Sequence, residues 1–279
     1  MGAKGKRCIP MKSPELEYYE RIAPKYDELH AQPIQLYHTK VESELIQPYL
    51  YEGQKVAVIG CGGGREFEYL LKKQIILVGV DFSRGMLDKA KEKIQKLAKH
   101  FSDRKLLSYV SLIQADAANL PFGDSEFDLV FCLASLNYFP NYEKSLLEMN
   151  RVVKPGGKVI VTVINRWELS AFVKRIPSVL KIFKGGGGKK TSSVFRKTFT
   201  MKEMKELYRK AGLNVCRVEG IRLFLDFIPQ AWNTRQEYFS KAQKAIQILS
   251  MLDQALLKLR FCKLCARFLM LVGEKPYGC

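Results

Sequence analysis

Glycines stand at positions 60, 62, 63 and 64, directly after the apolar run Lys55–Ile59, in the stretch K-V-A-V-I-G-C-G-G-G-R. Glycines at the end of a strand allow a tight turn and let a ligand approach the backbone closely, and a following helix offers unpaired N–H groups. A phosphate cradle, a nucleoside-cofactor turn and a plain strand-to-helix connection all fit this pattern. Asp81 ends the next apolar run, Ile75–Val80, 17 residues after Gly64. That is close to the spacing at which a carboxylate accepts both ribose hydroxyls of a bound nucleoside. A helix-capping aspartate is the plainer reading of the same residue. With NAD, FAD and S-adenosylmethionine all served by such a turn, these residues alone leave the cofactor open.

Other residues with chemical potential are scattered. His30 and His38 lie in the N-terminal region, and each is a candidate base or an ordinary packing residue. Asn137 and Tyr138 follow the apolar run Phe127–Leu133 and are placed to face a substrate. Cys262-x-x-Cys265 is the only paired motif among seven cysteines, with neither a second pair nor histidines nearby, so no metal site is expected. Free thiols point to a reducing cytoplasm.

The elements that must position these groups alternate. Strands are expected at Lys55–Ile59, Ile75–Val80, Val110–Gln114, Phe127–Leu133 and Lys158–Ile164. Helices are expected at Arg65–Lys73, after Ser83 and over 142–153, the last stopped by Pro155-Gly156-Gly157. Such alternation implies β-α-β units, a mostly parallel sheet with both faces covered, and ligands at the carboxyl ends of the strands. The glycines, Asp81 and Asp116 all fall at such ends. Residues 1–50 read as a helical segment. Later come a helix from Lys202, a strand over Val215–Leu225, a long amphipathic helix over about 234–259 and a last strand, Phe268–Val272.

Composition narrows the class. Forty-six Lys+Arg against 28 Asp+Glu give a net charge of +18, which favours anionic partners: nucleic acid, an anionic membrane surface or an acidic small molecule. Residues 171–200 hold eight of these cations and no acid, around Gly185–Gly188, and read as a basic insertion with a mobile tip. No apolar run reaches the length of a membrane span, and the N-terminus lacks the apolar stretch of a secretory signal.

Five further stretches decide between the cofactors. V-I-G-C-G-G-G, G-V-D-F-S-R-G-M-L, Q-A-D-A-A-N-L-P-F, F-D-L-V-F-C-L-A-S-L-N-Y-F-P and R-V-V-K-P-G-G-K-V-I-V-T-V, spanning 56–163, resemble the class I S-adenosylmethionine-dependent methyltransferases, the small-molecule branch especially. The resemblance implies a doubly wound α/β fold with a seven-stranded, mostly parallel sheet and a final antiparallel strand. It implies an N-terminal lid over 1–50 and a methyltransferase domain over 51–279, carrying the basic insertion at 166–200 and a helical substrate region at 226–260. By the same resemblance Gly60, Cys61 and Gly62 would pass the amino-acid part of the cofactor and Asp81 would hold its ribose. Phe82, Met86, Asp116 and Ala117 would surround the adenine, Leu133 would line the methionine, and Tyr19 and Tyr26 would belong to the lid. S-adenosylhomocysteine would be the product. One departure is Val58, where the family usually has an acid that organises the turn and the cofactor's ammonium.

The expected acceptor is a small or lipid-like molecule, with peripheral contact to an anionic membrane. The apolar stretches F-V-K-R-I-P-S-V-L-K-I-F and L-F-L-D-F-I-P-Q-A-W would wall its pocket, or simply pack as a helical cap. An RNA methyltransferase using the basic insertion, and a cofactor-binding protein without catalysis, are the alternatives.

Overall fold

The computed structural model describes residues 13–101, 104–173 and 195–277, with the backbone alone at 104–106 and 230. The tip at Gly185–Gly188, Cys8 and Cys279 lie outside the described residues. Seven strands, β1 (Lys55–Ile59), β2 (Ile76–Asp81), β3 (Val110–Gln114), β4 (Phe127–Leu133), β5 (Val153–Ile164), β6 (Asn214–Ile221) and β7 (Phe268–Glu274), form one sheet in the order β3-β2-β1-β4-β5-β7-β6. β7 runs antiparallel to β5 and β6, and the other pairs are parallel.

The near-continuous apolar runs are explained by cover on both faces. On one side Ala57, Ile59, Val130 and Val159 pack on α6 (Tyr142–Val152) and α8 (Met201–Lys210) through Met149, Met204 and Tyr208. On the other, Val56, Val58, Phe131 and Ile160 meet α3 (Pro33–Ile46), α4 (Phe67–Leu71) and α5 (Arg84–His100). Ser83 caps α5, accepting the Met86 N–H at 3.1 Å, as its position before the apolar period predicts. The lid comprises α1 (Pro14–Ile22), α2 (Tyr26–His30) and α3. After β5, α7 spans Leu169–Val173, and α9 (Gln230–Thr234), α10 (Phe239–Leu256) and α11 (Arg260–Leu264) precede β7.

Several boundaries differ from the sequence reading. α4 begins only at Phe67, because the glycine turn continues through Glu66. Pro155-Gly156-Gly157 does not stop α6, which has already given way to strand at Val153; these residues lie within β5, where its pairing with β4 shifts register. β6 ends at Ile221, as Arg222 turns into a left-handed conformation at φ +64°. The long helix over 234–259 is interrupted at both ends, and Leu252 and Leu259 are exposed, while Ala242, Ile246 and Asp253 are buried. The stretch L-F-L-D-F-I packs as a cap: Leu225 and Ile228 join Ile34 and Ile246 in a small core. Among the described residues no helix is long and apolar enough to cross a membrane.

Candidate functional site

Strand order reverses between β1 and β4, so the connections after these two strands diverge to opposite faces and leave a crevice at their carboxyl ends. The glycine turn enters it from β1. Gly60 and Cys61 both donate to the Val80 carbonyl, at 2.8 and 3.0 Å, which closes the turn against β2. Gly60 (φ +70°) and Gly62 (φ +51°) occupy the left-handed region. A Cβ on Gly60 would lie 2.6 Å from the Cβ of Ser135, and one on Gly62 would lie 2.7 Å from the Tyr26 hydroxyl oxygen. The glycines are therefore required twice over, by backbone conformation and by close approach from the β4 loop and the lid.

Asp81 locks the turn from the end of β2. Its Oδ2 accepts the Gly62 N–H at 2.8 Å and its Oδ1 the Ser83 N–H at 2.9 Å. Burial raises its pKa to about 6, against those two hydrogen bonds, which favour the charged form. A carboxylate has lone pairs for further donors, so a pair of hydroxyls can still be accepted there.

Side chains of the N-terminal helices lie over this floor. Tyr26 lies across Gly62 and Gly63 and packs against the ring of His30, centroids 4.1 Å apart. Tyr19 stands edge-on between Phe82 (5.8 Å) and Tyr138 (6.0 Å). Glu20 anchors α1 to the start of α5, accepting Ser83 Oγ at 2.8 Å and the Gly85 N–H at 3.2 Å. A Glu20→Ala variant is expected to bind cofactor up to roughly tenfold more weakly, because losing about 1.5 kcal/mol of bonding between α1 and α5 loosens the N-terminal helices over the site, with a matching small drop in stability. Calorimetry beside thermal unfolding checks this.

The cleft between these helices and the glycine turn measures about 490 Å³. It is lined by Gly60, Cys61, Gly62, Asp81, Phe82 and Leu133, and by Tyr19, Tyr26 and Tyr138. Four expected residues do not line it. Met86 is buried in the first turn of α5, and Ala117 is buried in the core. Asp116 is exposed, with its Oδ1 accepting the Ala118 N–H at 2.9 Å. Asn137, expected to face substrate, is fully buried; its amide donates to the Lys197 carbonyl and its Oδ1 accepts the Ile164 N–H at 2.9 Å. It ties the end of the insertion to β5. Asn137→Ala should therefore cost about 2–4 kcal/mol of stability, by leaving two buried backbone groups unpaired. Cofactor affinity should hold, as denaturant unfolding and calorimetry together would read.

Half of the cavity is built by residues whose role the sequence reading left open or unnamed. Arg65 and Glu66, immediately after the glycines, line it together with His30, His38, Arg196 and Arg267. The Arg65 guanidinium lies 2.7 Å from both Glu42 and Glu66, and these acids hold its pKa above the ordinary arginine value against burial. His38 stacks on Phe268, centroids 4.4 Å apart, with Nε2 3.4 Å from Glu42 Oε2; neither ring nitrogen has a hydrogen-bond partner. Burial, with Arg65, Arg222 and Arg267 nearby, holds its pKa well below the usual histidine value, so the ring is neutral. Arg65-Glu66 beside the glycines and His38-x-x-x-Glu42 at one helical turn were the available signals. Val58 is buried among Phe131 and Ile160, and Glu66, paired with Arg65, is an acid that lines the cavity beside the same turn.

Residues 57–161 match the model of a family described as a methyltransferase domain. A demethylmenaquinone methyltransferase of Bacillus cereus is 29% identical over 217 residues, covering 73% of this chain and 88% of that one. Among solved structures, phosphoethanolamine N-methyltransferase 2 of Haemonchus contortus with S-adenosyl-L-methionine aligns at TM-score 0.62 and 19% identity, over 96% of this chain and 61% of that one. The [4+2]-cyclase SpnF aligns at TM-score 0.66 and 19% identity, over 97% and 99%. At such identities the structures speak for the fold, and the cyclase shows that this fold serves more than one reaction.

Proposed function

The chain is a class I S-adenosylmethionine-dependent methyltransferase, and from that premise we propose that it methylates a small-molecule acceptor, of lipid-like or aromatic character, inside the lidded cavity. One observation carries the reading. One cleft is lined both by the glycine turn and Asp81, where the cofactor would lie, and by His38, Arg196 and Arg267. The small-molecule specificity of the B. cereus relative points the same way.

The residues present fit the cofactor. The glycine turn leaves its backbone bare where any Cβ would collide, and the buried Asp81 carboxylate retains acceptor capacity. In this reading Asp81 holds the ribose hydroxyls, Gly60 to Gly62 the amino-acid portion and Glu66 its ammonium, with Leu133 against the methionine chain. S-adenosylmethionine supplies a sulfonium methyl, already electrophilic, so that alignment matters more than covalent help. Tyr19 and Tyr26 exclude water from the reacting atoms. His38, neutral and with both ring nitrogens unsatisfied, takes the proton that an acceptor hydroxyl loses. Arg196, which has no ion-pair partner among the described residues, and Arg267 hold an anionic substituent of the acceptor.

The test is transfer of tritiated methyl groups into a cell extract, separated into lipid, small-molecule, RNA and protein fractions. Label in the small-molecule or lipid fraction is expected. Label in RNA alone would replace this reading with RNA methylation, and cofactor binding without label in any fraction would replace it with a non-catalytic role.

A further inference from the structure

The basic, apolar surface of α10 and α11 has no part in the cavity's chemistry. From Phe239 to Arg267 the chain carries six cations (Lys241, Lys244, Lys258, Arg260, Lys263 and Arg267) and one acid, Asp253. Asp253 is turned inward, accepting the Leu223 and Phe224 N–H groups at 3.0 and 2.9 Å. The outward surface of this segment thus has no acid. Lys263 pairs with Glu219 and Arg267 with Glu168, whereas Lys241, Lys244, Lys258 and Arg260 have no acidic partner among the described residues.

Helical geometry sorts the apolar residues. At 100° per residue, Ala242, Ile246, Leu249 and Asp253 share the face packed on the core. The opposite face carries Lys241 and Lys244, then Ile248, Met251 and Leu252, all exposed. The exposed apolar row continues past the end of α10 into Leu259, Phe261 and Leu264, with Met251 69% and Phe261 74% exposed. α7 is tied to α11 by the Leu169 N–H donating to the Cys265 carbonyl at 2.9 Å, and Trp167 and Phe172, both exposed, stack there at 5.7 Å.

We propose that this face docks on an anionic lipid bilayer, with Met251, Phe261 and their neighbours entering the interface and Lys241, Lys244, Lys258 and Arg260 resting on head-group phosphates. Exposed large apolar side chains flanked by cations without acidic partners are the composition of an interfacial helix. A second copy of the chain is a poor occupant, because a two-fold contact would set these cations against themselves. Docking here also brings the membrane close to the cavity, since Arg267 and Phe268, which follow α11 directly, are in its wall. A lipid-like acceptor would then enter from the bilayer.

The experiment is co-sedimentation of the full chain with phosphatidylcholine vesicles, with and without phosphatidylglycerol. Binding at least roughly tenfold tighter to the anionic vesicles is expected, and weaker as salt rises. A Met251→Glu, Phe261→Glu double variant should lose at least tenfold in that affinity, with cofactor affinity and thermal midpoint retained. Lys258→Glu with Arg260→Glu should remove the preference for anionic vesicles. No vesicle binding, equal binding to both compositions, or parental binding by the variants would each overturn docking. So would a dimer dissociated by the same variants without vesicle binding. Because no acceptor enters the assay, vesicle binding by a chain that labels only RNA would sink the proposed function and leave docking intact.

Discussion

Asp81→Ala is expected to lower cofactor affinity by more than 100-fold while leaving the protein folded. The carboxylate has two duties at once. It fixes the glycine turn through Gly62 and the start of α5 through Ser83, and in the proposed reading it also accepts the ribose hydroxyls. Each hydrogen bond to a charged group is worth about 1.5–3 kcal/mol, so losing the turn's anchor together with the ribose contacts exceeds a hundredfold. Asp81→Asn is expected to be nearly as damaging, because one amide N–H₂ must face either the Gly62 or the Ser83 N–H, donor against donor. Titration supplies an independent check. With a folded pKa of about 6 against 3.8 for the free side chain, the folded state retains a proton between those values that the unfolded chain has released. Stability therefore falls as pH rises from about 4 to 6, by an amount on the order of 3 kcal/mol. Cofactor affinity runs the opposite way, constant above pH 7 and falling about tenfold per unit below 6, if the ionised carboxylate is the binding form. Calorimetry across that range, repeated on Asp81→Ala, should show the pH dependence disappear with the side chain. Parental affinity in the variant would remove Asp81 from the site.

What could be read in the sequence was local. β1 and β4 begin and end where their apolar runs do, because a strand covered on both faces leaves little choice of boundary. The glycine turn and Asp81 were legible for a related reason: their neighbourhood is set by one β-α-β unit and its fixed spacing. The His38 half of the cavity was not. It joins α3, the turn after β1 and the start of β7, residues brought together only when β7 inserts between β5 and β6. No spacing rule connects His38 to Phe268.

Amphipathic patterning failed in a different way. The run from 234 to 259 is apolar on more than one face, so periodicity identifies a helix without saying which stripe is core. Ile246 meets Ile34 and Leu225, with Leu249 packed beside it, and that contact decides the matter, turning Met251 and Leu252 outward. Asn137 shows the same limit for a polar residue: its place beyond β4 was foreseeable, but its capture by Ile164 and Lys197 depends on where residues 195–199 return. Val58 reads differently with the fold in hand. Its neighbours are apolar, and the buried acids beside the turn, Glu42 and Glu66, both pair with Arg65.

His38→Gln should lower kcat at least 100-fold once the acceptor is identified, with cofactor affinity unchanged, since removing a positioned base costs about 10²–10⁴ in rate. The ring can take a proton because it is already neutral; the burial that keeps it so also weakens it as a base, which puts the expected loss at the low end of that range. Burial and the three nearby arginines hold its pKa far below the ordinary value, so activity should not fall off as pH drops from 8 to 6, where a solvent-exposed histidine base would protonate. Stability carries the matching signature. The unfolded chain takes up a proton near pH 6.5 that the folded chain refuses, so the protein loses stability as pH falls below that value, and His38→Gln should flatten this dependence. A packing role predicts something else. His38→Phe keeps an aromatic ring to stack on Phe268 but offers no proton acceptor, so it separates the two. As a base, His38 makes the Phe variant as slow as the Gln variant, with a thermal midpoint close to the parent's. Parental kcat in His38→Phe would show that the acceptor's proton leaves by another route, and that His38 serves the cavity only as a wall.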